Sequence, residues 1–181
     1  MLMSVACGSV VLAAVLTSSI ALQRSFAAVE GYSVTSGDQL RVLDYIAMDC
    51  RRALSASVAG NVLTLTVPPY YDSSGNVLAP TLTSGVLSYG SGSVSIIYSV
   101  SGSDFNREVK IKNSVGTVTS DTTTAIATNV STFTVTPSDV TNNITYSITF
   151  SPSFTRLASA AAVTATTVYC STFLRNAGAR Q

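Results

Sequence analysis

Histidine is absent from all 181 residues. That one absence removes the commonest general base, the Ser-His and Cys-His nucleophile pairs and the commonest metal ligand. Charge is scarce as well, at 10% of residues against roughly 25% in an ordinary soluble domain. The scarcity is uneven, because residues 1–23 carry no charge at all. Up to Val58, Arg24, Arg41, Arg51 and Arg52 balance Glu30, Asp38, Asp44 and Asp49; the remainder supplies the formal net charge of +1. With neither a basic arm nor an acidic tail, nothing in the electrostatics points to nucleic acid or to an acidic surface. No nucleotide or phosphate loop is present either, so energy for any mechanical work must come from another protein.

What the chain has instead is apolar surface, 46% of residues. The length suits one ordinary domain plus an appendage. From Met1 to Leu22 the only non-apolar residues are small: Ser4, Gly8, Ser9, Thr17, Ser18 and Ser19. The run stops at Gln23-Arg24. About 20 such residues span a bilayer core at roughly 1.5 Å each. A cleaved signal peptide would need a basic n-region, and here nothing basic precedes the run while Arg24 intervenes before Ser25-Phe26-Ala27. A buried core helix would need more enclosing domain than the remaining residues supply. A membrane helix fits best. Arg24 as the nearest charge then favours a cytoplasmic remainder, an orientation that needs a cause upstream.

Residues 38–55 contain good helix formers and neither Gly nor Pro. Leu40, Leu43, Ala47, Cys50 and Leu54 recur at intervals of three and four, giving one apolar stripe. The spacing places Arg41 and Asp44, and Asp49 and Arg52, off that stripe as solvent pairs. Ser36 and Asp38 read as N-caps, and Gly31–Gly37 as a weak joint that kinks or melts. After Gly60-Asn61 the period changes to 2. Asn61–Pro68, Ser93–Val100, Glu108–Lys112, Ser131–Thr136, Ile144–Phe150 and Val163–Leu174 read as strands, separated by turns such as Asp72–Asn76 and Asn113–Gly116. Thr and Ser facing outward suggest an antiparallel sheet with one solvated face, its other face covered by the helical stripe. The expected fold is α+β: residues 1–23 a membrane or polymerisation segment, 24–58 its amphipathic continuation, 59–181 an antiparallel β head.

That pattern resembles the type IV pilins and the minor pseudopilins of type II secretion. MLMSVACGSVVLAAVLTSSIALQ resembles the pilin N-terminal helix just past its conserved start. VSIIYSVSGSDFNREV resembles the strand–turn–strand hairpin of the larger minor pseudopilins, AIATNVSTFTV the segment after it, and TTVYCSTFLRNAG their closing strand. The family's leader, cleavage site and membrane glutamate do not occur in this chain, so the resemblance implies a gene that extends upstream of Met1. A basic cytoplasmic leader would resolve the orientation. The resemblance implies a single-pass inner-membrane subunit with its head in the periplasm. It would help prime or cap a pilus or pseudopilus, with other minor and major pilin-like subunits and assembly-platform proteins as partners. It implies no enzyme and no cofactor.

Several residues stand out within that frame. Cys50 on the helical stripe and Cys170 in the last strand are candidates for a disulfide stapling head to rod, or are two small hydrophobes. Cys7 is a small membrane-helix residue. Gly8, Ser9, Ala13 and Ala14 would allow close helix–helix approach. Asp72–Asn76 supplies one carboxylate toward calcium and otherwise reads as a turn. Asp104 and Glu108, near Arg107, Lys110 and Lys112, read as solvated strand ends before an acid pair. Asn129-Val-Ser131 and Asn143-Ile-Thr145 match glycosylation acceptors. Tyr70-Tyr71 is either an exposed aromatic edge or core rim. The rival from another class is a tethered or secreted β-sandwich binding module, an adhesin or carbohydrate-binding domain; a hydrolase ranks third. The 38–55 stretch separates the first two, since a sandwich covers its own sheet.

Overall fold

The computed structural model describes residues 2–72, 76–83, 86–90, 92–138, 142–151 and 165–174. One helix, α1, runs unbroken over Leu2–Arg52, about 75 Å at 1.5 Å per residue. The expected joint at Gly31–Gly37 does not form. Thr35 Oγ1 donates to the Gly31 carbonyl at 2.9 Å, and a Cβ added at Gly37 would meet nothing within 4 Å, so this segment strains no neighbour. Ser36 and Asp38 accordingly lie inside the helix and cap nothing. Arg51 and Arg52 close it, where positive charge favours the exposed carbonyls.

Among the described residues ten strands follow: β1 Ser55–Ala59, β2 Val62–Val67, β3 Thr81–Thr83, β4 Val86–Ser88, β5 Ser93–Ser101, β6 Asp104–Lys112, β7 Val118–Ala127, β8 Val130–Ser138, β9 Asn143–Phe150 and β10 Thr166–Phe173. The amphipathic segment expected to reach residue 58 therefore ends at Arg52, and β1 takes its last residues. Every pairing is antiparallel. The head splits into a five-stranded sheet ordered β1-β2-β5-β6-β7, a three-stranded sheet ordered β10-β9-β8, and the small β3-β4 hairpin. The chain passes from one large sheet to the other at the β7–β8 turn, where Asn129 takes φ 57°, a left-handed conformation that Asn tolerates better than most residues. Pro137 sits in β8, an edge strand of its sheet, where the missing N–H costs no ladder bond.

The core is shared by helix and both sheets. Val42, Ile46, Cys50 and Ala53 of the helix meet Leu63, Leu65, Ile96, Phe133, Ile144 and Ile148. Phe105 joins the sheets, stacking on Tyr98 at 5.8 Å and meeting Phe133 edge-on at 4.9 Å, geometries worth about 0.5–1.5 kcal/mol beyond burial. The packed helical face differs from the stripe expected from spacing. Leu40 is 67% exposed, Leu43 and Ala47 are half-buried, and only Cys50 and Leu54 of that set are buried. The buried face runs instead through Thr35, Asp38, Val42, Ile46, Asp49 and Ala53, turned by one residue, or about 100°. Two aspartates lie on it, so counting apolar residues alone set the stripe off centre, with Cys50 and Leu54 buried, Leu43 packed against the core and Leu40 outside.

The two faces predict opposite mutational outcomes. Ile46→Ala opens a cavity in the shared core and costs about 2–5 kcal/mol. Leu40→Ala stays within about 0.5 kcal/mol of the parent. Urea unfolding of the two variants side by side reads the difference.

Candidate functional site

The inward alternation of β6 places Phe105, Arg107, Val109 and Ile111 on one strand face, and Arg107 pairs across to Tyr98 of β5. Both meet Asp49, which is fully buried on α1. Tyr98 Oη donates to Asp49 Oδ2 at 2.6 Å and Arg107 Nε donates to the same oxygen at 2.8 Å. Arg52, one helical turn on, donates to Oδ1. The Arg107 guanidinium also lies over the Tyr45 ring, 5.5 Å from its centroid, adding a cation–π contact. Burial works to raise the Asp49 carboxyl, but hydrogen bonds from Arg107, Tyr98 and Arg52 outweigh it and hold the group below its ordinary 3.8. Burial, then the neighbouring carboxylate, pushes the Tyr98 phenol up. A second carboxylate repeats the theme eleven residues earlier, three turns along the same face. Asp38 accepts from Arg41 at 2.8 Å and from the Thr128 backbone N–H at 3.3 Å.

These carboxylates fasten helix to sheet. Each oxygen of Asp49 is already taken by a donor, so the group serves as an anchor and not as a base. Of the pairs expected from spacing, Arg41 reaches Asp38 and not Asp44, while Asp49 and Arg52 do pair, with Asp49 buried and the Arg52 side chain 39% exposed. The sequence analysis named Asp38 only as a cap, Asp49 only as the partner of Arg52 and Arg107 only as a neighbour of the strand-end carboxylates, and it passed over Tyr98. The available signal was an arginine interrupting an otherwise apolar strand face opposite an aspartate in a helix.

The other candidates separate. Cys50 is buried and Cys170 half-buried, each as a free thiol. They do lie near one another: burial first, then the charges of Asp49 and Cys170, pushes the Cys50 thiol up to about 12. Tyr146, opposite Cys170 in the β9–β10 ladder, is buried, its phenol pushed up by burial and by Cys170. With so little thiolate, Cys50 is a poor partner for exchange. Asp104 and Glu108 stand four residues apart along one strand, about 13 Å, too far for a carboxylate pair, and Glu108 holds Lys110 at 2.8 Å. Asp72 accepts from the Asn76 backbone and side-chain amides at 2.8 and 3.0 Å; residues 73–75 of that turn lie outside the described residues. The amide of Asn143 donates to Ser171 Oγ at 2.6 Å. Tyr70 and Tyr71 are both exposed. Among the described residues no cluster of three or more His, Cys, Asp or Glu could hold a metal ion.

Toward its N-terminus α1 is largely bare. Cys7 through Phe26 are exposed throughout, including Val10, Val11, Leu12, Val15, Leu16, Ile20 and Leu22, as are Gly8, Ser9, Ala13 and Ala14. By length and composition this helix can cross a membrane, and none of its most apolar stretch is buried. Compared with protein-family models, curated proteins and solved structures, the chain matches none.

Removing one partner from a buried ion cluster costs about 3–5 kcal/mol, so Asp49→Asn is expected to lose that much in denaturant unfolding. The pH dependence has a definite sign. A folded-state value below 3.8 gives stability that is complete above the ordinary carboxylate value and lost as pH falls through the lower folded one. D49N should flatten that acid limb; an unchanged limb would assign the loss to other carboxylates.

Proposed function

We propose that this chain is a non-enzymatic, membrane-anchored subunit of a pilin-like filament, its single apolar helix in the inner membrane and its β head in the periplasm. The observation that carries the proposal is the continuity of α1: one unbroken helix whose distal half completes the head core and whose proximal half is bare and apolar. Each bare Val, Leu or Ile gains about 1.5–3 kcal/mol on leaving water, so lipid or other helices are its natural surroundings. The head depends on Val42, Ile46, Cys50 and Ala53, which weighs against a sandwich that merely carries a tether. The resemblance of the sequence to minor pseudopilins supplies the finer reading: a subunit that primes or caps a pilus or type II secretion pseudopilus alongside other minor and major subunits and assembly-platform proteins.

Mechanically, extraction from the bilayer exchanges lipid contacts for helix–helix contacts. Ser9, Ala13 and Ala14 keep part of the rod slim, and a Cβ added at Gly8 would meet nothing within 4 Å, leaving room for a neighbouring backbone. The Asp49 cluster lets force on the rod reach the head without the two sliding apart.

Membrane association is the direct test. The parent chain should stay in the pellet after an alkaline carbonate wash. Leu12→Asp with Leu16→Asp, at about 2.5–3.5 kcal/mol per central charge, should release it. Crosslinking in the native host should join the parent to other pilin-like subunits. Recovery of the parent in the carbonate supernatant would reject the anchor.

A further inference from the structure

The solvent face of the three-stranded sheet is built in register. Thr132, Thr149 and Thr167 form one row across β8, β9 and β10; Thr134, Ser147 and Tyr169 form the next; Thr136, Thr145 and Ser171 the third; and Asn143 lies beside Phe173 in the fourth. The opposite face of the same strands carries Phe133, Val135, Ile144, Tyr146 and Ile148, all in the core. The outer face thus holds hydroxyls at strand spacing, about 4.8 Å apart, and among the described residues of these strands not one charged side chain. Some of the hydroxyls brace each other: Thr149 and Thr167 lie 3.0 Å apart, and Asn143 holds Ser171. Thr134, Thr136 and Thr145 open to solvent. Two aromatic rings stand on this face, Tyr169 at 78% and Phe173 at 59% exposure. They are four residues apart on one strand, about 13 Å, the span of a short run of sugar rings.

We infer that this face binds a neutral polysaccharide. The C–H face of a pyranose stacks on an exposed aromatic ring, and its hydroxyls exchange hydrogen bonds with a lattice of Thr and Ser, which donate and accept alike. Neutrality selects the occupant. A face without charge neither steers an acidic or basic partner nor discriminates between them. A second protein copy fits less well, because protein interfaces are depleted in Ser and draw on a desolvated apolar centre, and here two rings lie amid hydroxyls. Arg51 lies beyond the open edge of β10, in the neighbouring groove of about 540 Å³ that it shares with Ala47, Ser171 and Phe173, and so marks the border of the platform. The inference stands apart from the membrane anchor, since it uses only the head.

The test uses the full chain in detergent, run on affinity gels and sedimented with cellulose, chitin, starch, xylan and galactomannan, with dextran sulfate as the charged comparison. At least one neutral polymer should retain the chain, with no change on raising salt. Tyr169→Ala and Phe173→Ala should each weaken retention by up to about tenfold, with unchanged thermal unfolding since both rings are exposed. Tyr71→Ala, equally exposed but off this face, should bind as the parent does. Three results would overturn the assignment: retention by none of the neutral polymers, equal retention by the Tyr169→Ala/Phe173→Ala double variant, or salt-sensitive retention by dextran sulfate alone, which would point to Arg51. Light scattering showing that the double variant dissociates a dimer would make the face a protein interface and overturn it as well.

Discussion

A carboxylate without solvent sets the geometry of this molecule. Asp49 can be buried only if its oxygens find donors, because an unpaired buried charge costs several kcal/mol. Tyr98 and Arg107 supply them from two neighbouring strands, and Arg52 from the helix itself. The donors come from fixed directions, so the helix has one rotation about its axis at which all are met. That rotation sends Val42 and Ile46 into the core and leaves Leu40 and Met48 outside. Asp38, held to the Thr128 amide, fixes the same rotation three turns away. Apolar packing alone would tolerate a rotated helix. A buried carboxylate at each end does not, and specificity of this kind is what buried polar groups are best placed to provide.

Fixing the distal half fixes the proximal half too, since nothing interrupts the helix between them. About 50 Å of that helix therefore leaves the head at a set angle, with its side chains bare from Cys7 to Phe26. The sheets have no means of covering it: the inner face of the five-stranded sheet is occupied by residues 35–53, and the outer face of the three-stranded one is polar. Head and anchor are thus one mechanical body, and the chain presents two unlike surfaces to its surroundings, a greasy rod and an uncharged hydroxyl-rich plate.

The sequence made some of this plain and hid the rest, for identifiable reasons. The uncharged run to Leu22 announced a long apolar helix, and alternation in VLTLTV and NITYSITF announced strands whose inner residues are those now found buried. The strand β7 stayed hidden because TSDTTT alternates nothing: eight of its ten residues are exposed. The strand β1 was absorbed into the helix reading, since SASVA is too short and too plain to declare its period. The weak joint at Gly31–Gly37 was misjudged because local propensity is a weak prior once a helix is long and anchored downstream. Most instructive is the helical stripe. Leu40 looked inward because it is a leucine and is exposed, whereas the most buried face carries Asp38 and Asp49, which look outward to any count of apolar residues. Only Arg107, on an apolar strand face far away in sequence, makes Asp49 intelligible, and only the distant Thr128 amide makes Asp38 so.

The account turns on one rod having two environments, which cysteine accessibility in intact native membranes reads most directly. With Cys7, Cys50 and Cys170 replaced by Ala, single cysteines are placed at Val15, on the bare half of α1, and at Thr134, on the outer face of the head. A membrane-impermeant maleimide added to the periplasmic side should label Thr134→Cys at once and leave Val15→Cys untouched until detergent is added. Equal labelling of both without detergent would contradict the account.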